Sequence, residues 1–252
     1  MKDLFFFDAD CQVGSVPTAG VLPGVPELLA DMDKFGVEKA LVAHGNAPML
    51  GAVQSNKELS EMLKADTGSR LHGVWSILPT QCPELPPAEK FFELLEENRI
   101  SALTLHPFDH LFVPRRRVIG KLMDMAAEKN IPVMLKAFSN RWEDLYDFVE
   151  EFPDNRMILC EKFGKWGHDR QIRPLLENFP GFYFGLTGYW VPEGIRDLVE
   201  FCGAERLLFA SGFPGYSQGS LMLQLKHSGL SDGDLRLIAG ENMVRLLSEV
   251  KK

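Results

Sequence analysis

Two patterns of hydrophobic and polar residues alternate along this chain. Short apolar runs of strand length are followed by longer stretches in which apolar residues recur every three or four positions, as on one face of a helix. The alternation occurs eight times. The predicted strands are Leu4–Asp10, Lys39–Gly45, Leu71–Leu78, Ile100–His106, Pro132–Ala137, Met157–Glu161, Phe182–Thr187 and Leu207–Ser211.

Helices are predicted between these strands and after the last one, and some of their ends have recognisable signals. Pro26 suits an early helical position, where its missing N–H costs nothing. Ser231 followed by Asp234 resembles a helix N-cap with an acidic third position. The predicted helices are Pro26–Phe35, Asn56–Asp66, Pro87–Asn98, Val118–Asn130, Trp142–Phe152, Gln171–Phe179, Val191–Phe201 and Ser231–Glu249.

The alternation of strands and helices predicts a (β/α)8 barrel, the TIM-barrel class of α/β fold. Alternating elements with short links indicate parallel strands joined by crossovers, and eight such units favour a closed barrel over an open sheet. No GxGxxG motif follows a predicted strand, which argues against a dinucleotide-binding sheet. The length of 252 residues suits one barrel, and no linker or repeat interrupts it. We therefore predict a single domain over residues 1–252.

Composition and charge narrow the possible partners. The chain is 45% hydrophobic and 25% charged, as soluble globular proteins are. Its formal net charge of −8 argues against a nucleic-acid partner. Its start has no signal-cleavage pattern and no apolar stretch long enough to cross a membrane, so we expect a cytoplasmic protein with no membrane partner. The four cysteines form no CxxC pair and are expected to be reduced. A homo-oligomer remains possible.

Polar residues end several of the predicted strands, at the mouth of a barrel where functional groups gather. Side chains alternate across a strand, so Asp8, Asp10 and Gln12 are predicted to share one face of the first strand and its extension. His44 ends the second strand and is a further candidate for the pocket. The same spacing pairs other strand-end residues: Thr104 with His106, Met134 with Lys136, and Leu159 with Glu161.

Five segments together resemble one known family. Phe7–Gln12 stands where the family opens with D-x-H-x-H, and Leu105–Pro107 matches its His-Pro pair on strand four. Ile131–Lys136 matches a strand-five segment that ends in His, and Gly240–Leu247 matches the last helix. The longest match is Gly203–Pro214, for which the family has G-A-E-R-L-L-F-G-S-D-x-P. The chain resembles the amidohydrolase superfamily, more narrowly its aminocarboxymuconate-semialdehyde decarboxylase-like branch.

The resemblance implies a metal-dependent hydrolase or decarboxylase, but the residues at the metal-ligand positions differ. An ammonium repels a cation, and a neutral amide is a weak ligand. We therefore predict that the inherited metal site is lost and that no metal or cofactor is bound. The alternative is a site rebuilt from Asp8, Asp10, His106 and Glu161. The residues at the family's ligand positions are Asp10, Gln12, Lys136, Glu161 and Gly212.

Lys136 has three possible roles in this arrangement. It could pair with Asp10 and Glu161 and fill the site, because unpaired buried charges are costly. It could instead act as an electrostatic clamp or acid, with Asp10 or Glu161 as the base. A Schiff-base lysine is the third possibility.

The sequence therefore predicts a pocket for a small organic molecule at the barrel mouth. The expected function is an amidohydrolase-type hydrolase that works without the usual metal centre. The alternatives are a decarboxylase of the same superfamily and a catalytically silent barrel that binds a small molecule or a partner. The predicted catalytic residues are Asp10, His106, Lys136 and Glu161, and the predicted substrate-binding residues are Gln12, His44, Trp166 and Trp190.

Overall fold

A parallel sheet of eight strands forms the centre of the molecule in the computed structural model, which describes residues 4–16, 20–136, 138, 141–160 and 168–251. The strands neighbour one another in chain order from first to last, and each observed pair is parallel. The strands are β1 (Phe7–Val13), β2 (Lys39–His44), β3 (Leu71–Ser76), β4 (Ile100–Thr104), β5 (Val133–Leu135), β6 (Met157–Leu159), β7 (Phe182–Gly185) and β8 (Leu207–Leu208).

Backbone hydrogen bonds join β1 to the segment of β8 and the loop after it. The Ala9 N–H donates to the Phe209 carbonyl at 2.8 Å, and the Gly212 N–H donates to the Asp10 carbonyl at 2.9 Å. The Gln12 N–H donates to the Phe213 carbonyl at 2.9 Å. These bonds bring the two ends of the sheet together. The predicted (β/α)8 barrel is confirmed.

Helices surround the sheet, and two of them were missed by the sequence pattern. One has only four residues, and the apolar residues of the other do not fall on a single face. The predicted last helix is interrupted by a π-helical turn, Leu237–Glu241. The helices are α1 (Val25–Phe35), α2 (Ala47–Leu50), α3 (Ala52–Leu63), α4 (Ala88–Glu97), α5 (Arg116–Glu128), α6 (Trp142–Glu151), α7 (Asp169–Asn178), α8 (Gly194–Cys202), α9 (Gln218–Lys226), α10 (Asp232–Arg236) and α11 (Asn242–Ser248).

Most strands end earlier than the hydrophobic pattern predicts. β4 ends at Thr104 and β5 at Leu135, so His106 and Lys136 lie just beyond the regular sheet. The ladder pairs Thr104 with Met134, which places the next inward residues of the two strands, His106 and Lys136, beside each other. The polar residues at the strand ends therefore lie at the barrel mouth.

The core has an inner and an outer layer, as the alternation of side chains across each strand requires. The outer layer packs between the sheet and the helices and contains most of the large apolar residues. The inner layer fills the barrel below its mouth. It contains Phe7, Ala9, Leu41, Ala43, Val74, Ala102, Met134, Ile158, Cys160, Leu208 and Ala210.

A β-bulge in β1 changes which of its residues face inward. The register with β2 shifts between Asp8 and Cys11. Ala9 belongs to the inner layer, whereas Asp8 accepts a hydrogen bond from Gln218 of α9 on the outer side. The prediction that Asp8 shares a face with Asp10 and Gln12 is therefore wrong. A bulge adds a residue to one strand and so breaks the two-residue period on which the prediction rested.

None of the helices in the described part of the chain combines the length and apolar character needed to cross a lipid bilayer.

Candidate functional site

The ends of the first five strands enclose a cavity of about 200 Å³ at the barrel mouth. Its walls include apolar side chains of the inner layer, such as Val74 and Met134, together with Pro48 of α2. The polar lining comes from strand ends and the loops that follow them. These residues are Gln12, His44, Thr104, His106, Asp109 and Lys136. A mostly apolar cavity with a few convergent polar groups is the usual form of a small-molecule site.

Lys136 lines this cavity and forms a salt bridge with Asp10, which does not itself line it. The side chain of Lys136 is 15% exposed and that of Asp10 is 4% exposed. Burial is the largest single influence and lowers the pKa of Lys136, but Asp10, together with Cys160 and Cys11, raises that pKa above its usual value. The predicted pairing of Lys136 with Asp10 is confirmed, and the ammonium keeps its proton at neutral pH.

The second oxygen of Asp10 also has a partner. Thr187 lies just after β7, and its hydroxyl donates to Asp10 Oδ2 at 2.8 Å. Thr187 is buried. Both Asp10 oxygens are therefore engaged, which holds the carboxylate in place and leaves it poorly available as a base. Sequence analysis did not single out Thr187, although it is the polar residue at the end of a predicted strand, the same signal that identified His106 and Lys136.

Asp8 is fully buried and bound on both oxygens, away from the cavity. Its Oδ1 accepts the N–H of Ser211 at 2.8 Å and that of Asp10 at 3.1 Å. Its Oδ2 accepts from Gln218 Nε2 at 2.9 Å. Burial raises the pKa of Asp8 despite these hydrogen bonds. This carboxylate holds β1 to the loop after β8 and to α9, so it does not contribute to a rebuilt metal site.

The described donors do not suit a divalent cation. The Lys136 ammonium stands against Asp10, and Gln12 offers only a neutral amide to the same cavity. Gly212 has φ +78°, and a Cβ built there would lie 2.7 Å from Thr187 Cγ2. Within the described ranges, no group of three or more His, Cys, Asp or Glu residues is placed to hold a metal. Glu161 lies outside those ranges.

His106 is a neutral imidazole buried in the cavity wall. Burial lowers its pKa to about 3, helped by the positive charges that His110 and Lys136 would place nearby. Its Nδ1 is buried and has no hydrogen-bond partner among the described residues. The ring packs against that of His110 with centroids 5.3 Å apart. His106 can therefore accept or donate a hydrogen bond to a ligand, but it carries no charge near neutral pH.

His44 lies between the cavity and a carboxylate on a helix outside the barrel. Its ring lines the cavity, and its Nε2 lies 3.1 Å from Oε2 of Glu58 on α3. Its Nδ1 accepts the Asn46 N–H at 3.3 Å. Burial lowers the pKa of His44 more than Glu58 raises it. Sequence analysis proposed His44 but not Glu58, because only tertiary packing brings a residue of α3 to the end of β2.

Of the remaining predicted residues, Trp190 is the one that the structure describes, and it does not line the cavity. Trp190 is 46% exposed and packs against Tyr216, with ring centroids 6.5 Å apart. Trp166 and Glu161 lie outside the described residues. Leu159, which was expected to share a face with Glu161, packs in the outer layer. The binding and catalytic roles of these residues stay predictions.

The family model described as Amidohydrolase matches residues 9–248 of the chain. The match spans nearly all of the barrel, from β1 to α11. Among curated protein sequences, none matches the chain.

Solved structures share the fold at low sequence identity. An uncharacterized TIM-barrel protein from Bordetella bronchiseptica superposes with a TM-score of 0.73 at 16% identity, covering 98% of this chain and 99% of that one. A 2,6-dihydroxybenzoate decarboxylase from Rhizobium has a TM-score of 0.74 at 14% identity, with coverage of 98% and 99%. A 5-carboxyvanillate decarboxylase from Sphingomonas paucimobilis has a TM-score of 0.66 at 13% identity, also covering 98% and 99%. At these identities the likeness concerns the fold alone.

Proposed function

This chain belongs to the amidohydrolase family, and from that premise we propose that it hydrolyses a small organic substrate at the barrel mouth with a lysine in place of a metal ion. The observation that carries the proposal is the salt bridge between Asp10 and Lys136, the lysine that lines the cavity. It supplies a fixed positive charge at the strand ends, which is where the resemblance implies a metal.

The position of Lys136 suits the stabilisation of developing negative charge. When water adds to a carbonyl carbon, the carbonyl electron pair moves onto oxygen, and a fixed donor in a dry site stabilises that oxygen. The raised pKa of Lys136 keeps it in the ammonium form. Asp10 and Thr187 hold the ammonium in place, so little reorganisation is needed as the charge develops.

The cavity favours a small, compact substrate. Its volume of about 200 Å³ exceeds the roughly 150 Å³ of an apolar cavity that admits benzene. Lys136 would bind a carbonyl or carboxylate oxygen, and neutral His106 would accept or donate one hydrogen bond beside it. We therefore expect a molecule of about one ring that carries a carbonyl or carboxylate group.

A carbon–carbon lyase is the second candidate, and the solved decarboxylases with the same fold favour it. Lys136 would then stabilise the electron pair left when the carboxylate carbon leaves as carbon dioxide. Both reactions use the same ammonium, so one variant tests both. A barrel that only binds its ligand is the remaining alternative.

The test is turnover by chelator-treated protein. We expect the purified protein to carry less than stoichiometric zinc, and treatment with a chelator to leave its activity unchanged. The panel contains small amides, esters, lactones and aromatic carboxylic acids. Lys136→Met should lower kcat about 100-fold or more, as loss of a preorganised donor does. Lys64→Met, just after α3, is the matched control, because that lysine is exposed and does not line the cavity.

Three results would contradict the proposal in different ways. Activity that disappears on chelation and returns with added metal would show a resident cation. Equal kcat in wild type and Lys136→Met would remove Lys136 from the chemistry. Binding of a panel compound without any turnover would favour the silent barrel.

A further inference from the structure

We infer that His106 presents a hydrogen-bond acceptor to the cavity beside the Lys136 donor, and that this pair recognises a primary carboxamide. The inference rests on the proposed function and names the class of substrate that the same cavity takes. Sequence analysis placed His106 among the catalytic residues, and the structure adds what its ring offers to a ligand.

One nitrogen of the His106 ring is open to a ligand. Nδ1 is buried and has no hydrogen-bond partner among the described residues. The ring lines the cavity, and its Nε2 is not enclosed in this way. A ligand in the cavity therefore meets Nε2, and the position of the ring proton decides whether Nε2 accepts or donates.

The Lys136 ammonium favours a bare Nε2. The ladder pairs Thr104 with Met134, so His106 and Lys136 lie beside each other just beyond these strand ends, and both line the cavity. Burial, and after it the positive charges of His110 and Lys136, lower the pKa of His106, so the ammonium acts on this ring. A cation attracts a lone pair and repels the positive end of an N–H dipole. The neutral ring therefore has its proton on Nδ1.

His110 favours the same tautomer. Its Nε2 lies 3.0 Å from the Ala47 carbonyl oxygen, which can only accept, so the neutral His110 ring has its proton on Nε2 and a bare Nδ1. The two histidine rings are in contact, with centroids 5.3 Å apart and planes inclined at 69°. A proton on His106 Nδ1 avoids two bare, buried nitrogens on contacting rings. His110 is therefore a positioning residue that acts through His106.

Lys136 supplies the matching donor. An ammonium has three N–H groups, and among the described residues that of Lys136 donates to Asp10 alone, which leaves N–H groups for a ligand oxygen. The strands that lead to His106 and Lys136 are neighbours, and paired strands lie about 4.8 Å apart. The two side chains therefore match a ligand edge on which an acceptor oxygen and an N–H stand next to each other.

A primary carboxamide has such an edge. The amide group is planar, and one N–H of its NH2 group lies on the same side as the carbonyl oxygen. An open-chain secondary amide is trans, so its N–H points away from that oxygen. A carboxylate would place its second oxygen against the bare His106 nitrogen, and an ester has no N–H. The charge of Lys136 is already balanced by Asp10, so an anion gains little from it.

The other polar groups that line the cavity are engaged or lie nearer to solvent. His44 has both ring nitrogens in contact with partners, and the Thr104 hydroxyl donates to a backbone carbonyl at 3.1 Å. Asp109 is exposed at the rim, and Gln12 is half-buried. Asp109 and Gln12 are therefore the competing partners for a ligand N–H, and the experiments must separate them from His106.

The first experiment is a nitrogen-15 NMR spectrum of the full chain with labelled histidine rings at neutral pH. The His106 signals are assigned through ring-to-backbone correlations and checked with His106→Gln. We expect a protonated Nδ1 and a bare Nε2 whose signal shifts when benzamide is added. His227, which is exposed at the end of α9, is the internal control and should not respond. A protonated Nε2 in His106, or an Nε2 signal that ignores benzamide, overturns the inference.

The second experiment compares the affinities of one-ring probes. Benzamide, acetophenone and benzoate have the same number of heavy atoms and differ in the group that meets His106, and N-methylbenzamide lacks the N–H beside its oxygen. Benzamide should bind about 5- to 10-fold more tightly than each of the others, roughly the effect of one hydrogen bond. His106→Leu should abolish this preference, because leucine offers no acceptor.

Asp109→Asn and Gln12→Ala are the matched controls and should keep the preference for benzamide. Equal affinities in wild type, tighter binding of benzoate, or no binding of any probe contradicts the inference. So does a preference that disappears in either control variant and survives in His106→Leu.

Turnover separates this inference from the proposed function. Preferential binding of benzamide without turnover of any panel compound would support the inference and remove the proposed hydrolysis. Turnover of esters or acids that depends on Lys136, without a preference for benzamide, would remove the inference alone.

Discussion

At the scale of single residues, the cost of burying charge explains why Lys136 and Asp10 are paired. Lys136 and Asp10 are both largely removed from water, and each is stabilised by the other. Removing one partner of such a pair typically costs about 3–5 kcal/mol, because the other charge is left buried and unpaired. We predict a loss of that order in the free energy of unfolding for Lys136→Met, measured by urea denaturation.

Two further variants separate this effect from a general effect of losing a lysine. Lys64→Met removes an exposed lysine with an exposed partner, and its stability should change by less than about 1 kcal/mol. The double variant Lys136→Met, Asp10→Asn should recover part of the loss, because no charge is then stranded. A Lys136→Met protein as stable as wild type would show that the pair contributes little.

The buried imidazole of His106 predicts a dependence of stability on pH. Burial lowers its pKa from 6.5 to about 3 on folding, so the unfolded chain binds more protons between these values. The stability that this residue contributes is therefore fully present above pH 6.5. It is lost as the pH falls, by about 1.4 kcal/mol per pH unit, until the pH reaches the folded-state pKa.

The measurement compares urea denaturation of wild type and His106→Asn at a series of acidic pH values. The variant should lose less stability on acidification, because it lacks the group that charges on unfolding. His227→Asn, which removes an exposed histidine at the end of α9, should show the wild-type slope. Equal slopes in all three proteins would mean that folding does not lower the pKa of His106.

At the scale of elements, position 212 requires glycine because β1, β7 and the loop after β8 pack closely together there. Its φ of +78° is unfavourable for other residues, and a Cβ would lie 2.7 Å from Thr187 Cγ2. Thr187 in turn holds Asp10. We predict that Gly212→Ala destabilises by the conformational cost of about 1–2 kcal/mol plus an overpacking cost of about 1–3 kcal/mol.

Gly36 provides the control that separates these two costs. It caps α1 with φ +72°, and a Cβ there meets nothing within 4 Å. Gly36→Ala should therefore show the conformational cost alone in the same denaturation experiment. Equal losses in the two variants would mean that Thr187 moves aside without cost.

β1 shows at the same scale why a strand pattern can mislead. Alternation correctly placed Thr104 on one face with His106, and Met134 on one face with Lys136, because β4 and β5 are regular up to their ends. It failed for Asp8, because the bulge between Asp8 and Cys11 shifts the register by one residue. The amino-acid sequence of this segment does not reveal the bulge, because the stability of a bulge depends on the strands that pair with it.

At the scale of the whole molecule, the eight strands share one inner layer and one closed ring of hydrogen bonds. No part of this arrangement can bury its apolar face alone. We therefore predict that the chain unfolds as a single domain, with one coincident transition by far-UV circular dichroism and by tryptophan fluorescence. Two separated transitions would divide the chain into more than one cooperative unit.

Hydrophobic periodicity by itself determined the number and order of strands and most of the helices, and hence the barrel. It also placed Asp10, Gln12, His106 and Lys136 at the mouth, because parallel strands bring their carboxyl ends together. Ser231 was correctly identified as a cap, since its hydroxyl accepts the Asp234 N–H at 3.1 Å. These inferences depend on local period and on short-range hydrogen bonding, which a sequence records directly.

Only the tertiary structure decided which charges meet and which remain apart. Thr187 is 177 positions from the Asp10 carboxylate that it holds, and Glu58 approaches His44 from a helix outside the barrel. The Asp8 side chain points outward and accepts a hydrogen bond from Gln218, so it does not lie in the cavity. Pairing energies fall steeply with distance and rise with burial, so they depend on coordinates and not on spacing along the chain. The chemistry available at the mouth is therefore set by packing between distant elements.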